Sequence, residues 1–199
     1  MPNWEQRHLG APEIPPIHPK VIIAVTYGVL PGGLAIATQE VLEEAVHWAR
    51  QFPGAELAFS SCQHCFEGSA EKEWRWKDDA LLTHQAWLRW IIADSATNTI
   101  TELQAIKRML DARRMRPGEI LIVAEPLHSR SVMHIAREVF PDARLSLKHA
   151  AVLGYQSDHV LMLARSRFGY LLANVLRHAA ISLFPFRWFA WVRIPSWKS

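Results

Sequence analysis

The chain lacks the features that mark several large functional classes. The longest apolar run close to the C-terminus is broken by Pro185 and Arg187 and falls short of the ~20 residues that a spanning helix needs. The N-terminal segment MPNWEQRHLGAPEIPPIHPK shows no basic stretch followed by an apolar one, so no secretory signal is expected there and a cytoplasmic location is. Neither an internal repeat nor a low-complexity stretch is present, which argues against solenoids and disordered linkers. Cysteine is scarce. Cys62-Gln-His-Cys65 spells CxxC, yet no second pair completes a four-ligand zinc site, and a loop, not a helix, is expected to follow as FEGSAEKE; structural zinc and thioredoxin-type redox chemistry are both disfavoured. There is no GxSxG nucleophile elbow, no GxGxxG dinucleotide fingerprint and no Walker loop.

Acid is also missing from one region. No Asp or Glu follows Asp158, whereas Arg165, Arg167, Arg177, Arg187, Arg193 and Lys198 do, interleaved with Phe184, Phe186, Trp188, Phe189, Trp191 and Trp197. A basic aromatic tail over residues 185–199 fits two readings: it folds back on the core, or it makes peripheral contact with an anionic membrane surface. Over the whole chain the formal charge is only +3, too small to argue for nucleic acid as a partner.

What is present reads as one globular domain. The 199 residues are 50% apolar and 21% charged, enough to bury a core. Prolines suggest an irregular arm over residues 1–19, leading into VIIAVTYG, Val21 to Gly28, a β-branched run expected to be a strand buried on both faces. Ala35 to Phe52 has helical apolar spacing; AELAFSS, RWIIAD, EILIVAE and ARLSLKH read as further strands, and a Trp-rich, less regular helical region precedes RWIIAD. Trp87 and Trp90, beside apolar residues, read as core. Thr99 and Glu102, three apart before an apolar run, have the capping-box pattern of a helix start. Phe168, Leu171, Leu172, Val175, Leu176, Ala179 and Leu183 trace one face of a last amphipathic helix, with Arg167, Asn174 and Arg177 on another, and this helix is expected to pack against the domain. Strands alternating with helices imply a three-layer Rossmann-like α/β domain over residues 20–184, with a parallel sheet and right-handed crossovers.

In open parallel sheets ligands bind beyond the carboxyl ends of the strands. There the chain offers YGVLPGG with Gly28, Gly32 and Gly33, then Ser60-Ser61-Cys62, then DSATNT with Asn98 and Thr99, then EPLHSR with His128 and Arg130. The glycine loop brings backbone N–H groups toward an anion, or is a plain turn; Asn98 and Thr99 contact a ligand, or only cap a helix. His128 and Arg130 lie between a strand and the next helix, where imidazole and guanidinium face an anion or a scissile bond; His128 is the candidate catalytic residue. The alternative is a loop brace and a surface ion pair.

Two segments resemble the YdcF/SanA-like family of domains of unknown function. ATNT followed by Glu102 is similar to its Ser-x-Asn-Thr-x-x-(Glu/Asn) segment, and VAEPLHSR to its strand followed by a His-x-x-Arg-like segment, although here the Arg falls two residues after His128. The resemblance spans roughly residues 21–184. The chain departs from the pattern in VTYGVLPGG, where the family has an LGGG-like turn, and in Ser60-Ser61-Cys62, where it has Ser-Gly-Gly. The resemblance implies a Rossmann-like sheet, an acidic residue after the second strand that is either Glu71 or Glu73, an association with envelope biogenesis and, for at least one member, S-adenosylmethionine as ligand. It assigns no reaction. Two functions stay open: binding, with or without turnover, of a small anionic or nucleotide-like ligand, and a non-catalytic envelope or membrane-surface module acting through the tail.

Overall fold

The computed structural model describes residues 18–26, 28–30, 32–61, 68–151 and 165–183. Most of the N-terminal arm, the CxxC segment and the tail over residues 185–199 lie outside the described residues. The main sheet comprises β1 (Val21–Val25), β4 (Glu56–Phe59), β5 (Arg89–Ile92), β6 (Glu119–Ala124) and β7 (Arg144–His149). Its order is β5-β4-β1-β6-β7 and every pairing is parallel. This is the doubly wound Rossmann-like order: connections run outward in both directions from β1 and β6, leaving a switch point between those two strands.

The strands obey the burial their sequences imply. β1, VIIAV, is wholly buried at the centre, as a parallel strand covered on both faces must be. β7 at one edge reads RLSLKH and leaves Arg144 and His149 exposed; charge on an edge strand discourages further pairing. Helices α1 (Ile36–Gln51) and α2 (Ser69–Leu82) cover one face, meeting Ile22, Ala24, Leu57 and Phe59. On the other lie α3 (Thr99–Ala112) and α4 (Pro126–Val139), which bury Leu103, Ile106, Val132 and Ile135 against Val21, Ile23, Ile120 and Ile122. The two clusters make the three layers.

Three local expectations are corrected. The segment after β1 does not turn straight into α1. It forms a two-stranded antiparallel hairpin, β2 (Val29–Leu30) and β3 (Gly33–Leu34), because Val29 and Leu34 pair across a turn at Gly32 and bury themselves against the α1 face. Trp87 is not core: it is 43% exposed in the turn after α2, stacked beside the Arg50 guanidinium and the His84 ring, beyond the reach of the sheet. The last helix, α5 (Arg167–Leu183), does pack on the domain, against α4, but not through its apolar face. Tyr170 is fully buried and Asn174 nearly so, while Phe168 is 76% and Leu183 77% exposed and Leu171, Leu172, Val175 and Leu176 are exposed between them.

The Trp-rich region is a regular helix, α2, whose buried positions are Ser69, Glu73, Lys77 and Leu81. A spacing of four places them on one stripe, yet three of the four are polar, so no apolar period betrays the helix. What holds it is an ion pair. Lys77 Nζ lies 2.5 Å from Glu73 Oε1 with both side chains buried, and it also donates to Thr26 Oγ1 at 2.7 Å and to the Ser60 carbonyl at 2.6 Å. The ammonium sits 5.5 Å from the centre of the Phe59 ring. A cation held by oxygens from the ends of two strands and from its own helix is compensated for its loss of water, and it pins α2 to the carboxyl edge of β1 and β4.

Removing one partner leaves the other buried without compensation. Lys77→Met is therefore expected to lower stability by about 3–5 kcal/mol in urea unfolding, and Glu73→Leu combined with Lys77→Met to recover most of the loss, since apolar replacement of a whole buried pair is close to neutral. Additive losses in the double variant would show that the two side chains do not act as a pair.

Candidate functional site at the carboxyl end of the sheet

α3 begins one residue earlier than its Thr99/Glu102 pattern suggests. The N-cap is Asn98, whose Oδ1 accepts from Thr101 N at 3.0 Å while Thr101 Oγ1 accepts from Asn98 N at 3.1 Å, a reciprocal capping box. Asn is the stronger cap, and a short Thr hydroxyl at the third helical position closes the box as well as a carboxylate does. Glu102, displaced from the box, is buried in the first turn of α3. Thr99 becomes the first helical residue, and its hydroxyl is released from capping to meet the His128 imidazole, with Oγ1 and Nε2 2.9 Å apart.

His128 is not in a loop. α4 starts at Pro126, which has no N–H to leave unpaired at a helix start, and the N-cap is Glu125. Its carboxylate accepts from Leu127 N at 3.1 Å and from His128 N at 2.8 Å. His128 opens the buried stripe of α4 that continues through Val132, Ile135, Ala136 and Val139, so its ring is turned toward the sheet and toward α3. Arg130, two residues on, falls on another side of the helix and is exposed. The imidazole and the guanidinium are not brought together, because a helix separates residues i and i+2 by more than half a turn.

The buried Glu125 carboxylate takes a third donor from α5: the Tyr170 hydroxyl bonds Oε2. Asn174 Nδ2 donates to the Tyr170 carbonyl at 2.9 Å within α5. Beyond His128, Ser129 Oγ donates to the Pro126 carbonyl at 2.6 Å and lies 3.1 Å from His149 Nε2 at the end of β7. The α4 start therefore carries its own anion, and the electrostatic pull of that helix end is already spent on Glu125.

The remaining candidates divide into two places. Gly28 follows β1 with φ 83°, a conformation that favours glycine, and its carbonyl accepts from Thr38 Oγ1 at 2.6 Å, which ties the first turn of α1 to this loop. Ser60 and Ser61 follow β4 and are buried next to it. These residues, with Thr26, Thr99 and His128, belong to the carboxyl ends of β1, β4, β5 and β6. Gly32 and Gly33 do not join them. The hairpin carries both into a groove of about 550 Å³ between α1 and α2, lined also by Glu43, His47, Arg50 and His84. Of the two acidic candidates, Glu71 is exposed in the first turn of α2 and Glu73 is engaged with Lys77. Among the described residues no group of three or more His, Cys, Asp or Glu side chains is arranged to hold a metal ion.

Glu125, Lys77 and Tyr170 were not marked by their sequence context. The Glu-Pro step at the end of a buried strand is a cap signal once Pro126 is read as the first helical residue. Lys77 sits four after Glu73, an ordinary surface pairing by spacing alone. Tyr170 has no local signal, since its partner is 45 residues away.

If Tyr170 holds Glu125, Tyr170→Phe should lower stability by about 1.5–3 kcal/mol, the range for a bond to a charged group, and should speed amide exchange along α5 more than in α3. Hydrogen exchange with mass spectrometry reads both helices in one experiment; equal change in the two would mean that the hydroxyl does not fasten α5. Compared with protein-family models, curated proteins and solved structures, the chain matches none.

Proposed function

We propose that this is a YdcF/SanA-like protein that binds a small anionic ligand beyond the carboxyl ends of β1, β4 and β6, with His128 as the residue that meets its charge. The observation that carries the reading is the contact between Thr99 and His128, 2.9 Å apart, where the starts of α3 and α4 meet at the switch point of the sheet. An imidazole and hydroxyls from Thr99, Ser60 and Ser61 are donors suited to phosphate or carboxylate oxygens. His128 is also the group that can hold or move a proton at such an oxygen if the ligand is turned over.

A compact phosphorylated metabolite matches the donors Ser60, Ser61, Thr99 and His128. S-adenosylmethionine, which the family resemblance implies, is the nucleoside alternative, and titration separates the two.

Isothermal titration of the full chain with inorganic phosphate, sugar phosphates, nucleotides and S-adenosylmethionine tests the reading, and heat from none of them would end it. With the compound that binds, His128→Ala is expected to weaken affinity about tenfold or more, which corresponds to roughly 1.4 kcal/mol. Arg130→Lys should leave affinity unchanged, because Arg130 is turned away from His128.

A further inference from the structure

α5 is amphipathic in an inverted sense. The side on α4 is built from Tyr170 and Asn174, whereas Phe168, Leu171, Leu172, Val175, Leu176 and Leu183, at helical spacing, form one continuous exposed stripe on the other side. A helix held by a phenol-to-carboxylate bond, with its apolar stripe outward, presents a contiguous hydrophobic surface of a kind that single-chain globular proteins rarely leave bare.

The charge around the stripe selects its occupant. Arg165 and Arg167 stand exposed at the helix start, Arg177 follows within it, and Arg187, Arg193 and Lys198 come after it; no acid occurs anywhere beyond Asp158. Two copies placed stripe to stripe would set the exposed Arg165 and Arg167 against a partner segment that carries no carboxylate to offset them. An anionic lipid surface supplies the opposite sign, and the sequence beyond α5, FPFRWFAWVRIPSWKS, has the Trp, Phe, Arg and Lys composition that such a surface favours. No helix among the described residues is long and apolar enough to cross a membrane, so the contact lies in the plane of the surface. We infer that the outward stripe of α5 docks this protein on an anionic lipid bilayer.

The inference is independent of ligand binding at His128 and is tested on the full chain. Sedimentation with phosphatidylcholine vesicles containing about a third phosphatidylserine is expected to carry the protein down, and vesicles of phosphatidylcholine alone to leave it in solution. Raising sodium chloride from about 0.1 M to about 1 M, which shortens the Debye length from about 10 Å to about 3 Å, should release it. Two double variants on the stripe, Leu172→Glu with Leu176→Glu and Phe168→Ser with Val175→Ser, should each lower binding about tenfold or more. Both change exposed side chains, so unaltered thermal unfolding is expected in each. Absence of binding to the anionic vesicles, equal binding to both vesicle types, or undiminished binding by both variants would overturn the inference. So would a dimer in solution that either variant dissociates, which would put a second copy on the stripe.

Discussion

One buried carboxylate organises the carboxyl end of the sheet in this molecule. Glu125 accepts from two backbone N–H groups of α4 and from the Tyr170 hydroxyl of α5. The first two bonds set where α4 begins and hence where His128 stands on it; the third fastens α5. A carboxylate out of water must be given donors, and here the donors come from two helices, α4 and α5. The same bond explains why α5 turns its polar side inward. Turning the other side inward would take the Tyr170 hydroxyl away and leave the buried Glu125 carboxylate short of a donor.

A second polar device works on the opposite face of the sheet. Lys77 and Glu73 dock α2 by charge and hydrogen bonding where α1 and α3 dock by apolar stripes. Because Lys77 reaches Thr26 and the Ser60 carbonyl, the ends of β1 and β4 are joined to α2 at the level where a ligand would lie. Both charged devices thus sit at the carboxyl edge of the sheet, one on each side of the switch point, while the interior of the sheet is wholly apolar. A buried ion pair on one side and a carboxylate given three neutral donors on the other hold the geometry of this edge at the expense of solvation.

The β2–β3 hairpin divides what looked like one rim. It lifts Gly32 and Gly33 away from the switch point and leaves Gly28, Ser60, Ser61, Thr99 and His128 as the smaller constellation. Arg130, Glu71 and the hairpin glycines are surface features by comparison, each displaced by a local geometric fact: a helical step of two residues, a first-turn exposure, a two-residue β-turn.

The parallel α/β order, the five strands and the helices on apolar stripes were legible in the chain, because burial on both faces of a sheet or along one side of a helix writes a period into the sequence. His128 and Thr99 were legible as candidates for the same local reason: both follow strands, where a doubly wound sheet presents its loops. Their contact was not, since 29 residues separate them and only the packing of α3 beside α4 brings Oγ1 to Nε2. The start of α3 differed by one residue because Asn98 and Thr99 are both good caps: the Asn98 amide oxygen takes the cap and the Thr99 hydroxyl meets His128 on the neighbouring helix. α2 left no apolar period, since its buried stripe is Ser, Glu and Lys, residues whose burial is possible only when their partners arrive from β1 and β4. The direction of α5 was decided in the same way: its periodicity shows two unlike faces, but which one turns inward depended on a buried carboxylate contributed by a residue 45 positions earlier in the chain.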